Sequence, residues 1–179
     1  MNHLLLILSL LTAISAHAND LAMFSLKGPV DSLCIVMDDA GLTWQSEFKF
    51  DKKGLLIEFD GIEVDTERDK NNHIVDLIIE DAEDGDETVT IETKLKYDAA
   101  GKVIKTITSS PDEEWTETFS YDRNGRLKSR NYTSPEVTEQ YTYTYLKEDA
   151  QGNWTVREEK AVSMNQIITH TRKIIYRAE

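Results

Sequence analysis

Residues 119–132 read FSYDRNGRLKSRNY, and the phrase has close echoes in FKFDKKGLL (48–56) and LKYDAAGKV (95–103). Aligned on Asp51, Asp98 and Asp122, the copies share an aromatic one residue earlier: Phe50, Tyr97 and Tyr121. Phe48, Leu95 and Phe119 stand three residues before the Asp, and Trp44, Ile91 and Trp115 stand seven before. Mostly polar residues separate them. This period of two predicts strands with one apolar and one wet face. Asp-x-x-Gly follows each strand, and both ends of that motif favour a turn. The Asp side chain bonds the backbone two residues on, and Gly takes a positive φ without steric cost. Two residues beyond the Gly, Leu56, Val103 or Leu127 starts the returning strand. The phrase therefore reads as strand, tight turn, strand.

Two weaker copies extend the series. Asp69-Lys70-Asn71-Asn72 places Asn, which also tolerates the left-handed region, where Gly stands elsewhere, but Arg68 replaces the aromatic. Near the C-terminus Tyr141, Tyr143 and Tyr145 alternate with threonines before Asp149 and Gly152, and three extra residues predict an enlarged turn there. At position five before the Asp the first three copies carry Ser46, Thr93 and Glu117, which predicts a shallow or edge position on the buried face. Helix signals are nearly absent. The expected fold is all-β: an antiparallel meander of repeated hairpins, about ten strands, in one curled or two-layered sheet. A single layer would need its apolar face covered by curling, a partner or a ligand.

The phrases F-x-Tyr-Asp-x-x-Gly-x-Leu resemble the YD repeats of Rhs-type proteins. The mature chain as a whole resembles small exported bacterial proteins with degenerate YD-like repeats, through LKGPVDSL (26–33), YDRNGRL (121–127), GNWTVRE (152–158) and TRKIIY (171–176). The resemblance implies a β-repeat scaffold in the cell envelope and no established catalytic residues.

Residues 1–18 read as a signal peptide, with an apolar run from Leu4 to Ile14 and Ala16-His17-Ala18 before Asn19, although no Lys or Arg precedes the run. Residues 19–179 then form a single β-repeat domain of a periplasmic or extracellular protein. No later segment is long and apolar enough for a transmembrane helix. With 33 acidic against 20 basic residues the formal charge is −13, a field that disfavours nucleic acid and anionic lipid. Cys34 has no intramolecular partner, and its apolar neighbours predict a buried, inert thiol.

Candidate chemistry is sparse. His73 and His170 carry no metal-ligand spacing, and turn and surface positions are expected for them. No catalytic motif is present, so the chain is read as non-enzymatic, with a hydrolase whose site is not visible in the sequence as the last alternative. The acidic run Glu80–Glu87 could wrap Ca²⁺, but its order departs from a calcium loop, and a solvated hairpin loop is the preferred reading. No other cofactor is suggested. Trp115, Tyr141, Tyr143 and Trp154 are the speculative ligand-binding residues: exposed, they would stack a glycan, whereas in register they form the buried stripe of a sheet, which is the favoured reading. The leading functional reading is an envelope binding or scaffold protein that adds a partner's strand to an open edge, and carbohydrate binding is the alternative.

Overall fold

The computed structural model describes residues 20–82 and 88–178. The leader and most of the acidic loop lie outside the described residues. A short 3-10 turn, Asp20–Met23, precedes thirteen strands: β1 (Val30–Asp39), β2 (Leu42–Phe50), β3 (Leu56–Phe59), β4 (Ile62–Glu63), β5 (Asp65–Arg68), β6 (Ile74–Ala82), β7 (Thr88–Tyr97), β8 (Val103–Ser109), β9 (Glu114–Tyr121), β10 (Leu127–Thr133), β11 (Thr138–Glu148), β12 (Trp154–Ala161) and β13 (Gln166–Tyr176). Each pairs antiparallel with its chain neighbours except β4 with β5, and β13 returns to pair with β1 from Val30↔Tyr176 to Asp38↔Thr169. The expected meander is present as a single curled, nearly closed, barrel-like sheet, so the apolar face covers itself. No helix among the described residues is long and apolar enough to cross a membrane.

The seam explains why thirteen strands appear where about ten were expected. β4 pairs with β3 (Glu58↔Glu63, Phe59↔Ile62), and β5 pairs with β6 (Asp65↔Ile78 to Arg68↔Ile74). Between them the Val64 amide bonds the Ile57 carbonyl. Residues 62–68 are thus one extended run that changes partner at Val64. The β3–β4 hairpin is short, so above it Leu42–Ser46 of β2 ladders only to β1, and Ile79–Ala82 of β6 only to β7. The wall has a gap there.

All five Asp turns have the same hydrogen bonds. The Asp amide bonds the carbonyl four residues on, and its own carbonyl accepts the amide three residues on. Its Oδ1 accepts the amides two and four residues on, all at 2.8–2.9 Å, in Asp51, Asp69, Asp98, Asp122 and Asp149 alike. The residue three on has positive φ every time, from 66° at Asn72 to 79° at Gly54. The turn after Asp149 is therefore not enlarged. The extra residues lengthen β11 and are absorbed by bulges between Tyr145 and Glu148.

Three tyrosines ahead of the Asp turns, Tyr97, Tyr121 and Tyr145, tie their repeats to the preceding ones. Tyr97 Oη donates to the Ile74 carbonyl, Tyr121 Oη to Val103 and Tyr145 Oη to Leu127, so each reaches the first apolar residue after the previous turn. The N-terminal segment closes this end. Phe24 is fully buried against Phe48 and Phe50, and Leu21, Met23 and Leu26 join the same apolar core. Asp20 anchors the segment through a fork on Arg68 (2.7 and 3.0 Å) and the Leu56 amide. Arg68 in the aromatic's place is thus used by the fold.

Gly125 has φ +78°, where a Cβ costs about 1–2 kcal/mol but Asn is tolerated. Gly125→Ala should lower the urea midpoint accordingly at unchanged m-value, and Gly125→Asn, the residue that serves at Asn72, should lower it markedly less.

A charged interior as the candidate functional site

The apolar core fills the turn end and the side built from β1–β3 and β6–β9. Across the interior faces of β9–β13 stand charged and aromatic side chains. Glu117 comes from β9, Arg130 from β10, Tyr141 and Tyr143 from β11, Arg157 and Glu159 from β12, and His170 and Arg172 from β13. Strand alternation puts them inside: their outward neighbours are threonines, lysines and other polar residues that meet water. Ser46, Thr93 and Glu117 are all about 1% exposed, which corrects the expectation of a shallow position. In a sheet curled onto itself these inward positions are deep.

Arg130 organises the first part of the site. Its Nη1 donates to Glu117 Oε1, its Nη2 to Glu159 Oε1 at 2.8 Å and its Nε to Tyr143 Oη at 3.1 Å. Burial would lower Arg130, but Glu159, Tyr143 and Glu117 together raise it well above its usual value. The two carboxylates differ. Burial raises Glu117 despite Arg130, whereas at Glu159 the charges of Arg130 and Arg157 and its His170 neighbour outweigh burial and hold it low. Such a network is weak evidence for stability, yet breaking it is costly, because it strands a buried charge.

Arg157 and Arg172 are held differently. Arg157 is fully buried, its guanidinium 4.5 Å from the Tyr143 ring centre and 4.4 Å from that of Trp154. Arg172 lies 3.4 Å from the Trp154 centre. None of their side-chain nitrogens has a hydrogen-bond partner among the described residues. Burial and the charge of Arg157 push Arg172 well below its usual value, but arginine does not give up its proton in proteins, so the charge persists. Face-on contact with a desolvated ring returns about 2 kcal/mol, less than the several kcal/mol lost in burying an ion.

His170 was expected in a turn or at the surface, and it lies inside instead, 1% exposed and 3.7 Å from Glu159 Oε2, too far for a hydrogen bond. Burial and Arg157 push its pKa down to about 3, so the ring is neutral at physiological pH. His73 does sit in a turn, bonding Asp69 and stacked on Tyr97. Cys34, expected to be buried, is instead half-buried on the outward side of β1, where burial raises its thiol above the usual value.

Of the aromatic residues singled out from sequence, Trp115 and Trp154 are buried, while Tyr141 and Tyr143 are partly buried beside Arg130 and Arg157. They line the interior and form no surface platform. Glu117 is visible in the sequence as a polar break in an apolar stripe, but Arg130, Arg157, Glu159 and Arg172 carry no such mark. Their one signal is in-phase alternation with the tyrosines and His170, which is uninformative until the sheet's closure is known. The calcium reading falls mainly on residues outside the described set. Among the described residues no three His, Cys, Asp or Glu side chains converge on a metal position.

No protein-family model and no curated protein matches the sequence. Among solved structures the chain is similar to a porin-like protein from Bacteroides vulgatus, at 10% identity over 86% of this chain and 100% of that one, with TM-score 0.47. It is also similar to a LolA superfamily protein from Nitrosomonas europaea, at 9% identity over 87% and 90%, with TM-score 0.30. Neither likeness reaches that of a shared fold, and the site has to be read from its own chemistry. The fold and its site define an antiparallel, nearly closed β-sheet protein with an ionic interior.

Arg130→Met should cost about 3–5 kcal/mol in urea unfolding, because Glu117 and Glu159 would keep their burial and lose their partner. His170 contributes acid sensitivity of known sign. Its folded pKa lies below the ordinary 6.5, so the unfolded chain takes up a proton first as pH falls. Stability should decline by up to about 1.4 kcal/mol per pH unit from about 6.5 towards 3. His170→Gln should flatten that limb of the urea-midpoint profile, and an unchanged slope would assign it to other groups.

Proposed function

We propose that the protein is an exported, non-enzymatic binding protein of the bacterial cell envelope, and that its binding site is the barrel interior. The observation that carries this reading is the composition of that interior. Across β9–β13, three arginines, three glutamates and a histidine are buried at inward positions, with Trp115, Tyr141, Tyr143 and Trp154 beside them, where an aliphatic core would be more stable. Export rests on the apolar leader and small-residue site of residues 1–18, and the YD-like resemblance supports an envelope role.

The strand-addition reading loses ground to this one. Closure through β1 and β13 removes the long free edges on which it depended, leaving only the gap between β2 and β6. Catalysis is disfavoured by His170, since a base held near pH 3 is a poor proton acceptor at neutral pH and no nucleophile is hydrogen-bonded to it.

The test is recovery of the native ligand. Protein isolated from its own envelope without denaturation is extracted with solvent, and the extract is analysed by mass spectrometry. The same sample is compared with protein unfolded, washed and refolded. A stoichiometric small molecule, whose removal lowers Tm and whose return restores it, is the expected result. A recovered glycan would assign the interior aromatics to carbohydrate. Identical Tm values with no stoichiometric compound would overturn the reading and leave a polar core.

A further inference from the structure

All but one of the buried side-chain polar atoms lacking a hydrogen-bond partner among the described residues belong to Ser46, Trp154, Arg157, Glu159, His170 and Arg172. Native interiors leave few such atoms, and each calls for an explanation. These are also neighbours. Ile35 of β1 pairs with Ser46 on one side and Arg172 on the other, and Met37 pairs with His170, which in turn faces Arg157. Trp154 touches both guanidiniums.

The unpartnered groups are mostly donors: two guanidiniums, the indole N–H, a hydroxyl and the protonated nitrogen of a neutral imidazole. Charge points the same way. Arg130 is bound by Glu117 and Glu159, whereas no carboxylate is hydrogen-bonded to Arg157 or Arg172. The guanidiniums turn their faces to aromatic rings, and a guanidinium so stacked keeps its N–H fork for a planar acceptor.

We propose that Arg157 and Arg172, with Ser46, Trp154 and His170 beside them, bind the carboxylate of a small organic acid inside the barrel. The inference rests on the reading of the interior as the binding site. A carboxylate matches the fork bidentately and supplies the anionic partner that Arg157 and Arg172 lack. Ser46 ends the stretch of β2 that borders the gap in the wall, which places the cluster beside an opening in the sheet.

The test is calorimetric melting of the protein, expressed as the full chain and dialysed into chloride, at fixed ionic strength. The probes are sodium butyrate and sodium benzoate, their neutral amides, and inorganic phosphate. At least one carboxylate should raise Tm saturably while its amide and added chloride do not. Arg172→Met should abolish the rise without lowering the ligand-free Tm, because it removes an unpaired buried charge. Arg172→Lys, which keeps the charge and loses the fork, should need at least tenfold more carboxylate for the same rise. Absence of any anion-specific rise, or a rise undiminished in both variants, overturns the inference. A rise with phosphate alone overturns the assignment to carboxylate. A neutral ligand recovered from the envelope, with no response to anions, overturns this inference and leaves the interior as the binding site. If the envelope yields no compound and anions have no effect, both readings fall.

Discussion

The return of β13 to β1 is the constraint on which the rest depends. The two strands pair over eight positions although about 140 residues separate Val30 from Tyr176. Every other ladder joins sequence neighbours, or nearly so, and forms at little loop-closure cost. This one converts an open meander into a closed wall. It defines inside and outside for all the strands at once, and it buries inward polar groups such as Glu117, Arg157 and His170. Without it, Arg157 and Arg172 would line a half-exposed face, where water could satisfy their nitrogens.

Closure is prepared locally by five turns of one design. The Asp Oδ1 collects two backbone amides in each, and a residue of positive φ lets the chain reverse in the same length. In three of the five, Tyr97, Tyr121 and Tyr145 reach back to the carbonyl after the preceding turn. Backbone and side-chain bonds thus fix both the height of each hairpin and its register on the previous one. Irregularity is confined to places the fold uses. Arg68 replaces a tyrosine where the N-terminal segment needs a cation for Asp20, and the short β3–β4 hairpin leaves the gap.

The interior divides between two kinds of physics. Around the N-terminal segment, phenylalanines and leucines pack as an ordinary core. Across β9–β13 the same inward positions hold an ion network around Arg130 and a second pair of arginines supported only by ring faces. Aliphatic side chains there would bury apolar area without the desolvation cost of ions. An arrangement so expensive to the fold is intelligible when the interior has a ligand to meet.

The sequence by itself determined the strands, the turns and their repetition, because these depend on spacings within a few residues. Trp115, Phe119 and Tyr121 alternate with polar neighbours whatever surrounds them, and Asp122 and Gly125 make their turn from local bonds alone. Even the weak copies at Asp69 and Asp149 were legible. Only the tertiary structure decided that the sheet closes, since nothing local in β1 or β13 specifies the other as partner. Only closure distinguishes an inward arginine from a surface one. Arg130, Arg157 and Arg172 alternate along their strands as any exposed cation does, and His170 sits among threonines like a surface residue. The burial of all four, the missing partners of Arg157, Arg172 and His170, and the contact of Arg157 and Arg172 with Trp154 arise from strands far apart in the chain meeting in one interior.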